Sequence, residues 1–219
     1  MSLKKTFIIA LDGPAASGKG TLARKLADHY NLALLDTGIL YRAVGWNVIN
    51  SEGSPEKETD ALKAVEKLPY TNMQNPALRG ESTGAAASKV AAIPAVREAL
   101  RDFQRQFAYN PPDDKAGTIL DGRDIGTVIC PETPYKLFIT ADVKTRAKRR
   151  FLEEFGQTGT EEDFRNILED LTARDERDTK RSLSPLKKAD DALLIDTTNS
   201  SIEAVFEEAV SFISGKKVE

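Results

Sequence analysis

Gly13-Pro14-Ala15-Ala16-Ser17-Gly18-Lys19-Gly20-Thr21 is the stretch that decides how this chain folds. It follows the apolar run Phe7-Ile8-Ile9-Ala10-Leu11 and precedes a segment in which Leu22, Leu26 and Tyr30 recur at helical spacing. Strand, glycine-rich turn and helix, in that order, form the setting of a phosphate loop. The glycines let successive backbone N–H groups face one point, and the helix N-terminus adds the positive end of its dipole. Lys19 then brings a mobile positive charge to the outer phosphates. A chance turn between strand and helix is the alternative, and it leaves the lysine and its spacing unexplained.

Working outward, further short apolar runs fall at 32–35, 118–120, 135–140 and 192–195, and a helix with Ile202, Val205, Phe206, Ala209, Val210 and Ile213 on one face spans 201–214. Strands alternating with helices predict a parallel sheet covered on both faces. The fold class is therefore α/β, of the P-loop NTPase type, with three layers and a five-stranded parallel sheet. Two regions break the rhythm. Residues 51–112 are rich in Pro, Gly, Asn, Ser and Ala, and residues 153–184 are charged and helical with a break at 156–159. Both read as excursions over the carboxyl ends of the strands, where open α/β sheets bind ligands.

Composition removes several chemistries. The chain has 219 residues, one Cys (Cys130) and one His (His29), so an internal disulfide, a Cys/His zinc site and a histidine-based acyl-transfer triad are all unsupported. His29 reads as a solvated or capping residue and Cys130 as a buried structural thiol. A net charge of -3, from 31 basic and 34 acidic residues, argues against wrapping a nucleic acid. No apolar run suits a membrane span or a signal segment, so a cytoplasmic location is expected, with no membrane partner. No long heptad or exposed apolar stripe demands a partner, and a monomer is expected.

Three charged clusters remain. Asp36-Thr37-Gly38-Ile39-Leu40-Tyr41-Arg42 follows the second strand, with Thr37 as an N-cap candidate and Arg42 one turn into the helix. Alone, this reads equally well as a capped helix with a solvated Arg. Leu120-Asp121-Gly122-Arg123-Asp124-Ile125-Gly126 places three charges at the end of a central strand, which packing does not explain. Asp121 there takes a Walker B-like place, suited to orienting Mg2+ through water. In the run from Arg174 to Arg181, the residues Arg174, Asp178 and Arg181 are spaced to share a helical face, although a solvated salt-bridge face is the usual meaning of such a run. Together the clusters supply Lys, Arg and carboxylates, the residue types that phosphoryl transfer requires.

These motifs carry a resemblance. The 13–21 loop, Leu34-Leu35-Asp36-Thr37-Gly38 with Tyr41-Arg42, Ala87-Ser88-Lys89-Val90-Ala91 with Val96-Arg97-Glu98, Asp121-Gly122-Arg123-Asp124-Ile125-Gly126-Thr127-Val128, and Arg174-Asp175 with Arg177-Asp178 resemble bacterial cytidylate kinases, in order, over residues 6–213. The Gly-Lys-Gly-Thr form at Lys19-Gly20-Thr21 is similar to that of nucleoside monophosphate kinases. It puts a glycine where many P-loops carry the hydroxyl that binds Mg2+, leaving the ion to ATP oxygens and water. The resemblance implies ATP-dependent phosphorylation of CMP and dCMP, with ATP and Mg2+ as cofactors. It implies a core of about 1–50, 113–150 and 182–219, a nucleotide-monophosphate-binding insert at 51–112 and a lid at 151–181.

Carried over by position, Gly13, Pro14, Ala15, Ala16, Ser17, Gly18, Lys19, Gly20 and Thr21 hold ATP. Ser88, Arg97 and Asp124 read the cytosine, Arg174 and Asp178 hold the sugar, and Arg42, Arg123 and Arg181 clamp the phosphate, with Thr37 beside the acceptor. Lys19, Arg123 and Arg181 carry the catalytic charge. Basic residues Lys144, Arg146, Lys148, Arg149 and Arg150 fit the helix before the lid, mostly as a solvated face. Arg79 and Glu81 have no assigned role. Rival readings are another small-molecule P-loop kinase acting on UMP, AMP or shikimate, and a nucleotide-binding switch without catalysis.

Overall fold

The computed structural model describes residues 6–68 and 71–216. The ends of the expected core, 1–5 and 217–219, and residues 69–70 of the expected insert lie outside them. Strand β1 (Phe7–Asp12) leads through the loop to α1 (Lys19–Tyr30), then β2 (Leu32–Asp36), α2 (Thr37–Asn50) and α3 (Glu58–Glu66). A short 3-10 turn (Pro76–Arg79) precedes α4 (Glu81–Val90) and α5 (Pro94–Tyr109). After β3 (Gly117–Gly122) comes a single π turn (Ile125–Ile129), then β4 (Tyr135–Thr140), α6 (Val143–Phe155), α7 (Glu161–Lys180), β5 (Leu193–Asp196) and α8 (Ile202–Gly215).

All strand pairs are parallel and the order is β2-β3-β1-β4-β5. Side chains of a strand alternate between faces, so β1 serves two cores at once. Ile9 and Leu11 pack with Leu22 and Leu26 of α1 and with Val205, Ala209 and Ile213 of α8. Ile8 and Ala10 point to the other face, against Leu120, Ile125, Ile129 and Ala108. Cys130 is fully buried there, as its apolar surroundings predict. His29 is exposed and meets the rings of Tyr30 and Phe206 edge-on.

Between 51 and 112 the regular elements are α3, the 3-10 turn, α4 and α5, with no strand among the described residues. Leu40, Val44 and Val48 of α2 form a separate core with Ala61, Ala64, Val90, Val96 and Leu100. The contact between α2 and α4 is unusually close. A Cβ on Gly45 would lie 2.8 Å from the Ala87 nitrogen and 3.0 Å from Ala86 Cβ, so any side chain there would force the helices apart.

The carboxyl end of β1 is tied across the sheet. Asp12 is buried and accepts from the Ile125 and Gly126 amides, both at 2.8 Å. Burial pushes its carboxyl up to about 7, against the pull of those two amides. Because the folded state holds this proton more tightly than the unfolded chain, Asp12 favours the fold most below pH 4 and less as pH rises through 7. Asp12→Ala strands two buried N–H groups and is expected to cost about 2 kcal/mol. Urea unfolding with an unchanged m-value checks this.

Candidate active site

The chain turns at Gly13, where a Cβ would lie 2.0 Å from the Ile139 carbonyl oxygen. Only glycine lets the loop sit this close to β4. Ala16 (φ 58°) and Gly18 (φ 86°) then curl the backbone before α1 begins at Lys19. Ser17 Oγ and Lys19 Nζ both donate to the Pro14 carbonyl, at 3.0 and 3.3 Å. Lys19 Nζ also stands 3.6 Å from Asp121. Burial, with the Arg123 cation nearby, pulls Lys19 down to about 8. For Asp121, burial outweighs Lys19 and pushes the carboxyl up.

Above the loop opens a cleft of about 480 Å³. Among the described residues nine basic side chains line it against five acidic ones, a local balance opposite to the chain's net -3. Of the residues expected from sequence, Ala15, Ala16, Ser17, Gly18, Lys19, Gly20, Thr21, Arg42, Asp121, Arg123 and Arg174 border it. Gly13 and Pro14 form the back of the loop. Among the described residues the cleft is also bordered by Arg24, Asp36, Arg79, Arg149, Arg150 and Arg177, to which the sequence reading gave no definite part.

Thr37, Ser88, Arg97, Asp124, Asp178 and Arg181 stand behind this lining as a layer of paired groups. Arg97 is ion-paired with Asp124, both buried, and lies over the Tyr41 ring at 5.4 Å. Arg123 Nε donates to Asp178 at 3.0 Å, and Arg181 lies 3.8 Å from Asp178. Burial raises the Asp178 carboxyl, but Arg123, Arg174 and Arg181 more than offset it and leave it below the ordinary range. Arg174 is pulled down to about 10 by burial and by Arg123. Among the described residues, buried N–H groups of Arg97 (Nε), Arg174 (Nε) and Arg181 (Nη2) have no hydrogen-bond partner. An anion or a polar base edge would satisfy them.

Three expectations change. Thr37 does not cap α2. Asp36 does, accepting from the Gly38 amide at 3.0 Å, while Thr37 Oγ1 donates to the Asp121 carbonyl at 2.8 Å. Arg181 is not on the face of α7: the helix ends at Lys180, and Arg181 turns back to donate to the Ser184 carbonyl. The basic face of α6 is only partly solvated. Lys144 and Lys148 are exposed, but Arg146 is buried, bonded to the Ala15 carbonyl at 3.2 Å and to Asp175 at 2.5 Å. Arg149 donates to Thr197, whose hydroxyl donates in turn to the Ser17 carbonyl at 2.9 Å. These two arginines thus brace the loop.

A parallel five-stranded sheet with a phosphate loop between β1 and α1, and a basic cleft above it, defines a P-loop nucleotide-dependent phosphotransferase. The chain belongs to the cytidylate kinase family, whose family model matches residues 9–215. A cytidylate kinase of Rhodopseudomonas palustris is 48% identical over 206 residues, spanning 94% of this chain and 95% of the relative. One from Bartonella henselae is 47% identical over 209 residues, 95% of each chain. Among solved structures, an uncharacterized protein from Eubacterium ventriosum superimposes with a TM-score of 0.55 at 17% identity, covering 96% of this chain and 99% of that one. That likeness concerns the fold alone. Among the described residues, no helix is long and apolar enough to cross a membrane.

Proposed function

We propose that this chain transfers the γ-phosphoryl group of ATP to a phosphate oxygen of CMP or dCMP, giving the diphosphate. The observation that carries this reading is the basic cleft over the 13–21 loop, adjoined by the buried Arg97–Asp124 pair. The loop amides and Lys19 hold the donor's outer phosphates. Arg42, Arg123 and Arg181, with Thr37 beside them, hold the acceptor phosphate, while Arg174 and Asp178 hold its sugar. Asp124 accepts from the exocyclic amine of cytosine, and Arg97 and Ser88 donate to the ring acceptors.

The acceptor oxygen is already ionised near neutral pH, so no side chain need act as general base. The work is positioning and charge stabilisation, with closure of the lid excluding water from the cleft. Among the described residues no cluster of three or more His, Cys, Asp or Glu could cage a metal. Asp36 and Asp121, paired in register at the ends of β2 and β3 and both bordering the cleft, are hard oxygen donors. They suit Mg2+ shared with phosphate oxygens and water. When bound, the ion neutralises charge on the transferring group. The 51–112 region serves as the acceptor-binding insert, 151–181 as the lid, and the remainder as the core. The enzyme acts as a cytoplasmic monomer.

A coupled assay with Mg-ATP and CMP, dCMP, UMP, AMP and dTMP tests the reading. CMP and dCMP are expected to be the preferred acceptors by about a hundredfold in kcat/KM. Failure to form diphosphate from any pyrimidine monophosphate would overturn it.

A further inference from the structure

Arg177 belongs to no role assigned so far, yet its position is distinctive. It lies on α7 and borders both the main cleft and a neighbouring cavity edged by Glu56, Lys89 and Pro94. It is therefore part of the wall between the two. From there its Nε donates to the hydroxyl of Ser88, 89 positions earlier on α4, at 3.1 Å. Ser88 is only 6% exposed. Among the described residues Arg177 forms no ion pair, and this hydroxyl is its side-chain hydrogen-bond partner.

We propose that Arg177 sets which base the acceptor site takes, by holding the Ser88 hydroxyl as a hydrogen-bond donor. The proposal rests on the reading of Ser88 as a base-reading residue. A serine hydroxyl carries one donor and two acceptor lone pairs, whereas a guanidinium only donates. Once a guanidinium N–H occupies one lone pair, the O–H hydrogen turns away from the cation. The nearby positive charge also opposes a second N–H approaching the same oxygen. Ser88 is thereby polarised and presents a hydrogen to the ligand.

Cytosine offers acceptors on the matching ring edge, at N3 and O2. Uracil carries a hydrogen on N3, so its donor would meet the donor of Ser88. An unrestrained serine would rotate its hydroxyl and accept from that N–H equally well. Arg177 removes this freedom and turns an indifferent hydroxyl into a discriminating one. Arg177 is thus a positioning residue, acting through Ser88 rather than on the reacting atoms.

Arg177→Met keeps the aliphatic stem and removes the donors and the charge. Its expected effect is a loss of about tenfold in kcat/KM for CMP, the size of one hydrogen bond from a charged donor, with UMP unchanged or improved. The CMP-over-UMP preference therefore narrows by about tenfold, while KM for ATP stays the same. Ser88→Ala is expected to narrow the preference as well, and adding Arg177→Met to Ser88→Ala should narrow it no further. Equal losses for CMP and UMP in Arg177→Met, with Ser88→Ala still narrowing the preference, would overturn the role of Arg177 alone. A Ser88→Ala variant with the parent's preference would overturn base reading by Ser88 itself.

Discussion

Lys19→Met is expected to lower kcat by about a thousandfold, the cost of removing a preorganised charge from a transferring phosphoryl group, while the chain still folds. The two outcomes separate because Lys19 is not placed for stability. Burial and Arg123 hold its pKa at about 8 rather than the ordinary 10.5, so the folded chain carries a strained cation at neutral pH. Its partner Asp121 keeps Arg123 as a neighbour when the amine is removed. Between pH 8 and 10.5 the unfolded chain holds a proton that the folded chain has released, so Lys19 makes the fold relatively more stable as pH rises through that window. The methionine variant loses this slope. Phosphate oxygens beside Lys19 raise its pKa again, so ATP binding above pH 8 takes up protons. Calorimetry in two buffers of different ionisation enthalpy measures that uptake, which the variant should lack. A variant with kcat within about tenfold of the parent would remove Lys19 from the chemistry.

The second large effect is expected at Asp124. Asp124→Asn is predicted to lower kcat/KM for CMP by about a hundredfold while leaving KM for ATP within about twofold. The carboxylate shares a buried ion pair with Arg97, so an acceptor base must take over contacts that the pair already satisfies. Asparagine keeps one acceptor oxygen but places an amine where the cytosine amine or the guanidinium must approach. Asp124→Ala is harsher, because it leaves Arg97 charged, buried and unpaired at a cost of about 3–5 kcal/mol. Comparing Asn with Ala by thermal unfolding separates base recognition from the stability of the pair. Equal losses toward CMP and ATP would end the assignment of Asp124 to the base.

How much of this was legible in the sequence depended on the range of each interaction. The phosphate loop and the sheet were readable because their signals are local: glycines at fixed spacing, short continuous apolar runs, and helical stripes such as Leu22 and Leu26. The cap of α2 was misplaced by one residue. Both Asp36 and Thr37 are competent caps, and Thr37 is instead occupied by the carbonyl of Asp121, 84 positions away. Arg146 and Arg149 looked solvated because periodicity shows that a helix has a basic face but not what covers it. Here the covers are the 13–21 loop, α7 and Thr197. The Ser88–Arg177 contact had no local signal at all.

The tight seam at Gly45 has a mechanical consequence. With the backbones of α2 and α4 nearly touching there, no flexible side chain lubricates the joint, and sliding one helix past the other would cost close-packed contacts. Arg42 near the start of α2 and Ser88 near the end of α4 are thus mounted on one stiff plank. Whatever swing the surrounding loops permit, these two side chains travel together, and the span between them works as a ruler cut to one length of ligand.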